Sequence, residues 1–315
     1  MTEIVSLADI TATTIPAALH GCVASIGNFD GVHRGHAQLL GQAKSLAGEL
    51  NAATAACVFD PHPIAILRPD AAPKRLSTID ERARRMNRLG IDFLVVIQTT
   101  PELLSLSAEA FFESLLVNNL HARGMIEGAN FCFGKGRRGN VDLLTELCAE
   151  RGIQFRVAEM HCQDEDVISS TRIRETLAIG DVAAAASMLG VYHRVSGDVR
   201  HGDARGRTIG FPTANLLVQD VVTPAPGVYA GWGILGDSEA SKLPAAIHIG
   251  ESPTFGSGAP EQIEVHLLNY NDDLYGRTLT VDFVERVRGV ERFGSVEQLS
   301  HQLRQDIQTC ERLLQ

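Results

Sequence analysis

The chain has 315 residues, 44% of them hydrophobic and 21% charged, which is enough material for the cores of two ordinary domains. Its formal net charge of -10 argues against a general nucleic-acid binder, because binding to a phosphate backbone needs a basic surface. The first residues lack the basic and apolar regions of a signal peptide, and no window approaches the length of a membrane span. We therefore expect a cytoplasmic protein that contacts neither nucleic acid nor membrane.

Six scattered cysteines favour the same compartment. None belongs to a C-x-x-C pair, so the spacing indicates reduced thiols rather than a disulfide framework or a zinc site. They are Cys22, Cys57, Cys132, Cys148, Cys162 and Cys310.

The first half of the chain alternates between short apolar runs and amphipathic segments. The apolar runs predict strands at 22–26, 53–59, 93–97, around Met125 and at 155–159. The amphipathic segments predict helices at 35–50, 78–89, 107–120, 141–151, 171–179 and 182–189. This rhythm predicts an α/β fold with a doubly wound parallel sheet.

The pattern changes near residue 190. Strands are predicted at 195–199, 228–234, 245–249, 263–269 and 279–287, with turn residues between them. A helix then runs from Ser295 to Leu314, and Ser295 with Gln298 matches a capping box. Consecutive short strands closed by one helix predict a small antiparallel β-barrel. We expect two domains, at residues 1–184 and 185–315.

A glycine-rich motif, GNFDGVHRGH at residues 27–36, follows the first predicted strand and opens a helix. A strand, a glycine turn and a helix start offer free backbone N–H groups to phosphate. His33 and His36 lie three residues apart, on one side of the first helical turn. They can donate hydrogen bonds to the α-phosphate of a nucleotide as negative charge develops on it. The alternative is a helix cap with two surface histidines.

A second glycine-rich motif, GDARGRTIGFPTAN at residues 202–215, lies in the second half. Its glycines Gly202, Gly206 and Gly210 let the chain wrap a nucleotide, with Arg205 or Arg207 near the phosphates. Thr213 and Asn215 place a hydroxyl and a carboxamide on one side of an extended segment. Hard Mg²⁺ takes such oxygen ligands together with phosphates and water.

Glu264 is the candidate general base in this half. Ile263, Val265 and Leu267 face one side of its strand, so Glu264, His266 and Leu268 face the other. A carboxylate there can accept the proton of a primary alcohol that attacks a γ-phosphate. The alternative is a solvent-facing glutamate on an edge strand. We expect His266 to be structural and residues 269–274 to form a plain loop.

Two further patterns are interpreted as structural. Residues 128–135 superficially match a phosphate-binding P-loop, but the glycine spacing is too long and no Ser or Thr follows Lys135. His62 lies between two prolines, and nothing nearby completes a zinc site. We expect His62 to form part of a rigid turn.

The motifs together resemble the bacterial bifunctional riboflavin kinase/FAD synthetase family over roughly residues 15–315. The first half carries the H-x-G-H signature of nucleotidyltransferases, followed by FDPHP at 59–63, GANFCFG at 128–134 and ISSTRIR at 168–174. The second half carries residues 202–215, then PGVYA at 226–230, IGESPTF at 249–255, IEVHLL at 263–268 and DLYG at 273–276.

The resemblance implies roles for individual residues. In the adenylyltransferase half, it implies that His33 and His36 are catalytic and that ATP and FMN contact Gly27, Phe29, Asp30, Gly35, Asn130, Ser170, Thr171 and Arg174. In the kinase half, it implies Glu264 as the base and a nucleotide and flavin site at Gly202, Gly206, Arg207, Gly210, Pro212 and Asn215. Thr213 and Asn215 are the implied Mg²⁺ ligands.

The implied activity is conversion of riboflavin to FMN, and of FMN to FAD, with ATP as substrate in both steps. Riboflavin, FMN and ATP are the expected partners, with no obligate protein partner. One alternative is a single active half, the kinase, because Cys132 stands where we expect arginine in most relatives. The other alternative is a flavin carrier or sensor. The presence of Thr213, Asn215 and Glu264 argues against it, because flavin binding alone needs neither a metal nor a base.

Overall fold

The computed structural model describes residues 1–8, 10, 15–159, 168–200, 210–218, 220–236, 242–250, 262–270 and 272–315. Contacts between residues divide the chain into two compact units. The first contains Met1–Pro73 and Thr78–Ile168, and the second contains Lys74–Ser77 and Ser169–Gln315. Among the described residues, no helix combines the length and the apolar character that a membrane crossing requires.

The first unit is built on a six-stranded sheet in which every pairing is parallel. Its strands are β1 Glu3–Leu7, β2 Val23–Ile26, β3 Thr54–Asp60, β4 Phe93–Gln98, β5 Gly124–Glu127 and β6 Gln154–Val157, in the order β1-β4-β3-β2-β5-β6. The chain moves from β2 to β3 and β4 on one side, then returns to β5 and β6 on the other. The topological switch point is therefore between β2 and β5, which is where open α/β sheets bind ligands.

Helices connect these strands and confirm the predicted α/β alternation. They are α1 Arg34–Leu50, α2 Pro63–Leu67, α3 Ile79–Leu89, α4 Pro101–Ser105, α5 Ala108–Phe112 and α6 Val141–Arg151. The helix predicted over 107–120 begins at the Ser107 cap, but from Glu113 to Asn119 it continues as a π-helix. Strand β1 was not predicted, because only Val5 and Leu7 of its five residues are buried and its apolar pattern is short.

The second unit is a closed antiparallel barrel of six strands, as predicted. Its strands are β7 His193–Arg200, β8 Ala214–Leu217, β9 Gly227–Leu235, β10 Lys242–Gly250, β11 Gln262–Leu267 and β12 Thr278–Arg288, in the order β10-β11-β8-β7-β12-β9. Strand β8 was predicted only as an extended segment. The helices of this unit are α7 Ser170–Ala178, α8 Val182–Leu189 and α9 Val296–Leu313, and Ser295 caps α9 as predicted.

The boundary from contacts falls at residues 168/169, earlier than the division at 184/185 expected from the sequence. The reason is that α7 and α8 pack with the barrel. The backbone N–H of Ala225 donates to Leu177 O at 2.9 Å, and Arg286 Nη1 donates to Ile179 O at 3.0 Å. The short segment Lys74–Ser77 also belongs to this unit, through a bridge between Arg75 and Val221.

Candidate active sites

The first candidate site is the phosphate loop, residues 27–33, which follows β2 at the switch point of the parallel sheet. Its backbone is unusual: Phe29 has φ 45° and Val32 has φ 42°, and Gly31 has φ 81°. Left-handed backbone is a genuine outlier for a bulky or β-branched residue, and each such residue costs about 1–3 kcal/mol. The loop therefore needs support from the surrounding structure.

Two arginines of α3 supply that support. Arg82 Nη1 donates to Asn28 O at 3.0 Å, and its Nη2 donates to Asp30 Oδ1 at 2.9 Å. Arg85 Nη1 donates to Gly31 O at 2.7 Å. The sequence pattern predicts this helix but assigns no role to either arginine. The available signal was that residues three apart share a helix face, which places both guanidinium groups together.

His33 and His36 lie together at the start of α1, as predicted. His33 is the N-cap, and its Nδ1 accepts a hydrogen bond from the backbone N–H of His36 at 3.3 Å. The two rings stack at 3.6 Å, and Phe29 contacts His36 edge-on at 5.2 Å. The helix cap of the alternative interpretation is present, but His33 is only 5% exposed and His36 is half-buried, so they are not two exposed surface histidines.

Burial keeps both imidazoles neutral near pH 7. Loss of hydration lowers the pKa of His33 to about 4, against the opposing effect of Asp30. Burial, then His33 and the charge of Arg82, lower the pKa of His36 well below its usual value. Because Nδ1 of neutral His33 is an acceptor, its ring proton resides on Nε2. His33 thus offers Nε2–H as a donor without carrying a full charge.

Two further side chains support the strand ends around the loop. His62 caps α2, and its Nε2 lies 2.7 Å from Asn28 Nδ2, so the expected rigid turn is a helix cap that also contacts the loop. Glu127, at the end of β5, is buried and accepts a hydrogen bond from the backbone N–H of Ile26. Burial raises the pKa of Glu127 well above its usual range. The sequence pattern does not distinguish Glu127, which is one carboxylate in an apolar run.

The loop after β5 flanks the other side of the switch point and carries the predicted Asn130. Asn130 is exposed, and its carbonyl oxygen lies 3.6 Å from Sγ of the half-buried Cys132. Phe131 and Phe133 stack at 5.6 Å and fix the base of this loop. Parallel strands β2 and β5 are neighbours, so the loops that carry His33 and Asn130 leave the same edge of the sheet.

The predicted triphosphate ligands Ser170, Thr171 and Arg174 lie on α7, which packs with the second unit. The capping side chain is Ser169, which accepts from the backbone N–H of Arg172 at 3.2 Å. Arg174 Nε donates to Lys74 O at 2.8 Å. Their role at the first site stays a prediction.

The second candidate site is a row of side chains across three strands of the barrel. Glu264 of β11 is directly paired with Asn215 of β8 on one side and with His248 of β10 on the other. Directly paired residues of antiparallel strands share a face, with Cβ atoms about 4.5–5.5 Å apart. We call Asn215, Glu264 and His248 the polar row. The sequence alone does not indicate His248, because its place beside Glu264 depends on the strand register.

The face assignment of β11 is largely confirmed. Ile263, Val265 and Leu267 are buried in the barrel, whereas Glu264 and His266 are half-buried on the opposite face. Leu268 is buried in the turn instead, in a small cluster with Ala230 and Cys310. His266 has the structural contact expected of it, since its Nδ1 lies 2.7 Å from Pro212 O.

Hard oxygen atoms for a divalent cation are available beside the polar row. Asn215 Oδ1 accepts a hydrogen bond from Gln262 of the neighbouring strand β11. The Thr213 hydroxyl is two residues away on the same chain segment. Within the described ranges, no cluster of three His, Cys, Asp or Glu residues could hold a metal. An amide, a hydroxyl and phosphate oxygens suit Mg²⁺, which needs few protein ligands.

A cavity of about 450 Å³ opens next to Thr213. Its lining residues come from the barrel interior and from the loop before β12; they are Val199, Pro212, Thr213, Ala214, Val265, Leu267, Tyr270, Asp272, Asp273, Leu274 and Tyr275. Tyr270, Asp272, Asp273 and Leu274 lie in the expected loop and also form part of the cavity wall. The predicted Gly202, Gly206 and Arg207, and residues 251–255 of a quoted motif, lie outside the described residues, and Gly210 is described with φ 88°.

Two protein-family models match this chain, one in each half. The family model described as FAD synthetase matches residues 15–172, and the one described as riboflavin kinase matches residues 189–314. The first match extends past the contact boundary at 168/169 and into α7. The two matches follow the order of the predicted domains.

Full-length similarity is also present. The chain is 39% identical to a bifunctional riboflavin kinase/FMN adenylyltransferase of Escherichia coli over 290 residues, covering 92% of each protein. It is 35% identical to the protein of that description in Haemophilus influenzae, covering 93% of this chain and 94% of the relative. A crystal structure named for a macrolide-efflux protein of Streptococcus pneumoniae is similar with a TM-score of 0.86, 29% identity and 98% coverage of both chains. The chain belongs to the family of bifunctional riboflavin kinase/FMN adenylyltransferases.

Proposed function

We propose that the parallel-sheet unit joins FMN to the AMP part of ATP at the phosphate loop, and that the barrel unit makes FMN from riboflavin at the polar row. The observation that carries the first assignment is the stacked pair His33 and His36 at the switch point of the sheet. The one that carries the second is the pairing of Glu264 with Asn215.

In adenylyl transfer, a phosphate oxygen of FMN attacks the α-phosphorus of ATP. A new P–O bond forms, the bond from the α-phosphorus to the oxygen bridging it to the β-phosphorus breaks, and pyrophosphate leaves with that electron pair. His33 Nε2–H and the His36 ring donate hydrogen bonds to the α-phosphate oxygens, which stabilises charge that develops in the transition state. No covalent enzyme intermediate is needed, because positioning and charge stabilisation suffice.

The flavin ring needs an apolar surface near this loop. Helix α2 has no buried residue and exposes Ile66 and Leu67, and its cap His62 contacts Asn28 of the phosphate loop. We propose that the isoalloxazine ring of FMN packs on this helix, so that its phosphate reaches the histidine pair.

In the kinase step, the primary hydroxyl of riboflavin attacks the γ-phosphorus of ATP and ADP leaves. Glu264 accepts the hydroxyl proton as the new P–O bond forms. Thr213 and Asn215 would hold Mg²⁺, which neutralises charge on the ATP phosphates. Because Thr213 also lines the cavity of about 450 Å³, we propose that the cavity holds the nucleoside of ATP between its tyrosines and apolar residues.

The test is incubation of the pure protein with riboflavin, ATP and Mg²⁺, followed by chromatography for FMN and FAD. We expect FMN to form first and FAD later, and both to stop when a chelator removes the metal. Formation of FMN without FAD, even when FMN is supplied, would favour the kinase-only alternative. The absence of both products would favour a flavin carrier.

We further propose that the protein works in the cytoplasm, since Cys22, Cys57, Cys132, Cys148 and Cys310 are free thiols.

A further inference from the structure

Arg82 and Arg85 of α3 are buried against the phosphate loop, although the proposed chemistry uses only His33 of that loop and His36 of α1. Each arginine is 5% exposed. Burying a guanidinium group is costly unless it is paired and hydrogen-bonded. Arg82 donates two hydrogen bonds to the phosphate loop, and Arg85 donates to Gly31 O at 2.7 Å and to Glu81 Oε1 at 2.8 Å.

The positions of the two carbonyl acceptors are specific. Asn28 O belongs to the peptide unit that leads into Phe29, and Gly31 O belongs to the unit that leads into Val32. Phe29 and Val32 are the two non-glycine residues of the loop with left-handed backbone. Each arginine therefore holds the peptide group directly before a strained residue. A fixed donor at that peptide group can keep the next residue in its left-handed conformation.

We infer that Arg82 and Arg85 are positioning residues for adenylyl transfer, which hold the phosphate loop on the path that brings His33 and His36 to the substrate. This inference rests on the proposed function of that loop. Arg82 acts on the histidines in a second way, since its charge helps to lower the pKa of His36 and its partner Asp30 acts on His33. Loss of Arg82 would leave Asp30 buried without this partner, beside His33.

The test compares substitutions on one helix in the full-length enzyme. Arg82→Gln removes the charge and the two-pronged donor, and Arg82→Lys keeps the charge but has one nitrogen to offer. Arg84→Gln is the matched control, because Arg84 is 41% exposed on the same helix and its ion pair is with Glu81. Each variant is assayed for kcat and KM of FAD formation from supplied FMN and ATP, and for riboflavin phosphorylation as a measure of an intact barrel unit. A thermal melt followed by circular dichroism checks that the parallel-sheet unit, which carries the substitution, is folded.

We expect Arg82→Gln to lower kcat for FAD formation by about 10²-fold, since a displacement of about 1 Å costs that much, and to leave riboflavin phosphorylation intact. KM for ATP should change far less than kcat. Arg82→Lys should recover part of the loss, and Arg84→Gln should stay within about twofold of the wild type. Asp30→Asn and Arg82→Gln each remove the same ion pair. The loss in kcat of the double variant, expressed as a free energy, should therefore be no larger than the sum of the losses in the two single variants.

An Arg82→Gln enzyme with wild-type kcat for FAD formation, or an equal loss in Arg84→Gln, would overturn the inference. If Arg82→Gln also abolished riboflavin phosphorylation, Arg82→Lys would be the deciding variant. An Arg82→Lys enzyme that phosphorylates riboflavin normally and forms FAD at the wild-type rate would likewise overturn the inference. Failure of the proposed function gives a different result, because then the wild-type protein itself makes no FAD from FMN.

Discussion

Nδ1 of His33 accepts a hydrogen bond from the backbone N–H of His36 at 3.3 Å, and the same two residues stack their rings at 3.6 Å. One side chain thus caps α1 and fixes its own tautomer. The remaining proton is on Nε2, which makes the ring a donor rather than a base. The capping of α1 by Nδ1 and the proposed stabilisation of the transition state by Nε2–H therefore involve different atoms of His33, and a substitution can separate them.

His33→Asn should retain the cap and lose the donor. Asparagine is among the best N-cap residues, so α1 should keep its stability. Loss of a donor at the developing charge should lower kcat for FAD formation by about 10²–10³-fold, with riboflavin phosphorylation unchanged. Steady-state assays of both reactions and a thermal melt measure this. His36→Ala should give a similar loss, and a parallel fall of both activities in folded protein would contradict the two-site assignment.

The stability of the first unit should depend on pH through His33. Its pKa is lowered on folding from 6.5 to about 4, so the unfolded chain binds more protons between these values. This stabilisation is present above pH 6.5 and is lost as the pH falls towards 4. When the pH is lowered from 7.5 to 5, the free energy of unfolding of the wild type, measured by denaturant titration, should fall by about 2 kcal/mol more than that of His33→Asn. Equal losses in the two proteins would show that His33 does not carry the effect.

Glu264→Gln should abolish riboflavin phosphorylation and leave the conversion of supplied FMN to FAD. The amide keeps the size of the side chain between Asn215 and His248 but cannot accept the proton, and loss of a general base typically costs about 10²–10⁴-fold. Glu291→Gln, at an exposed position of the same unit, is the control. FMN formation at the wild-type rate by Glu264→Gln would remove Glu264 from the mechanism.

Cys132→Arg should lower the Michaelis constant for ATP or FMN in adenylyl transfer. Cys132 is half-buried in the loop after β5, where a guanidinium group could reach phosphate oxygens. Lys135, Arg137 and Arg138 are exposed in the same loop. An unchanged or higher constant would show that these cations already suffice or that residue 132 faces elsewhere.

A fragment of residues 169–315 should fold and phosphorylate riboflavin without making FAD, whereas a fragment of residues 185–315 should be markedly less stable. The shorter fragment lacks α7 and the start of α8, so it loses the bond from Ala225 N–H to Leu177 O and leaves Arg286 without Ile179 O. Thermal melts and FMN assays on both fragments measure this. Equal stability of the two fragments would favour the division at 184/185 that the sequence pattern predicts.

The sequence by itself determined the features that depend on local pattern. The phosphate loop, the start of α1 at the histidine pair, the bounds of α6 and α8 and the cap of α9 at Ser295 all follow from apolar periodicity, glycines and capping residues within a few positions. The two-residue period of a strand likewise determines that Glu264 and Val265 lie on opposite faces of β11.

Only the tertiary structure decided the contacts between distant segments. Arg82 meets Asn28 across 54 positions of sequence, and no local period signals that pairing. His248 stands beside Glu264 because of the register of β10 against β11, and a shift by one residue would turn it to the other face. The allocation of α7 and α8 to the barrel unit has the same origin, since helix periodicity shows that a face is apolar but not which core will cover it.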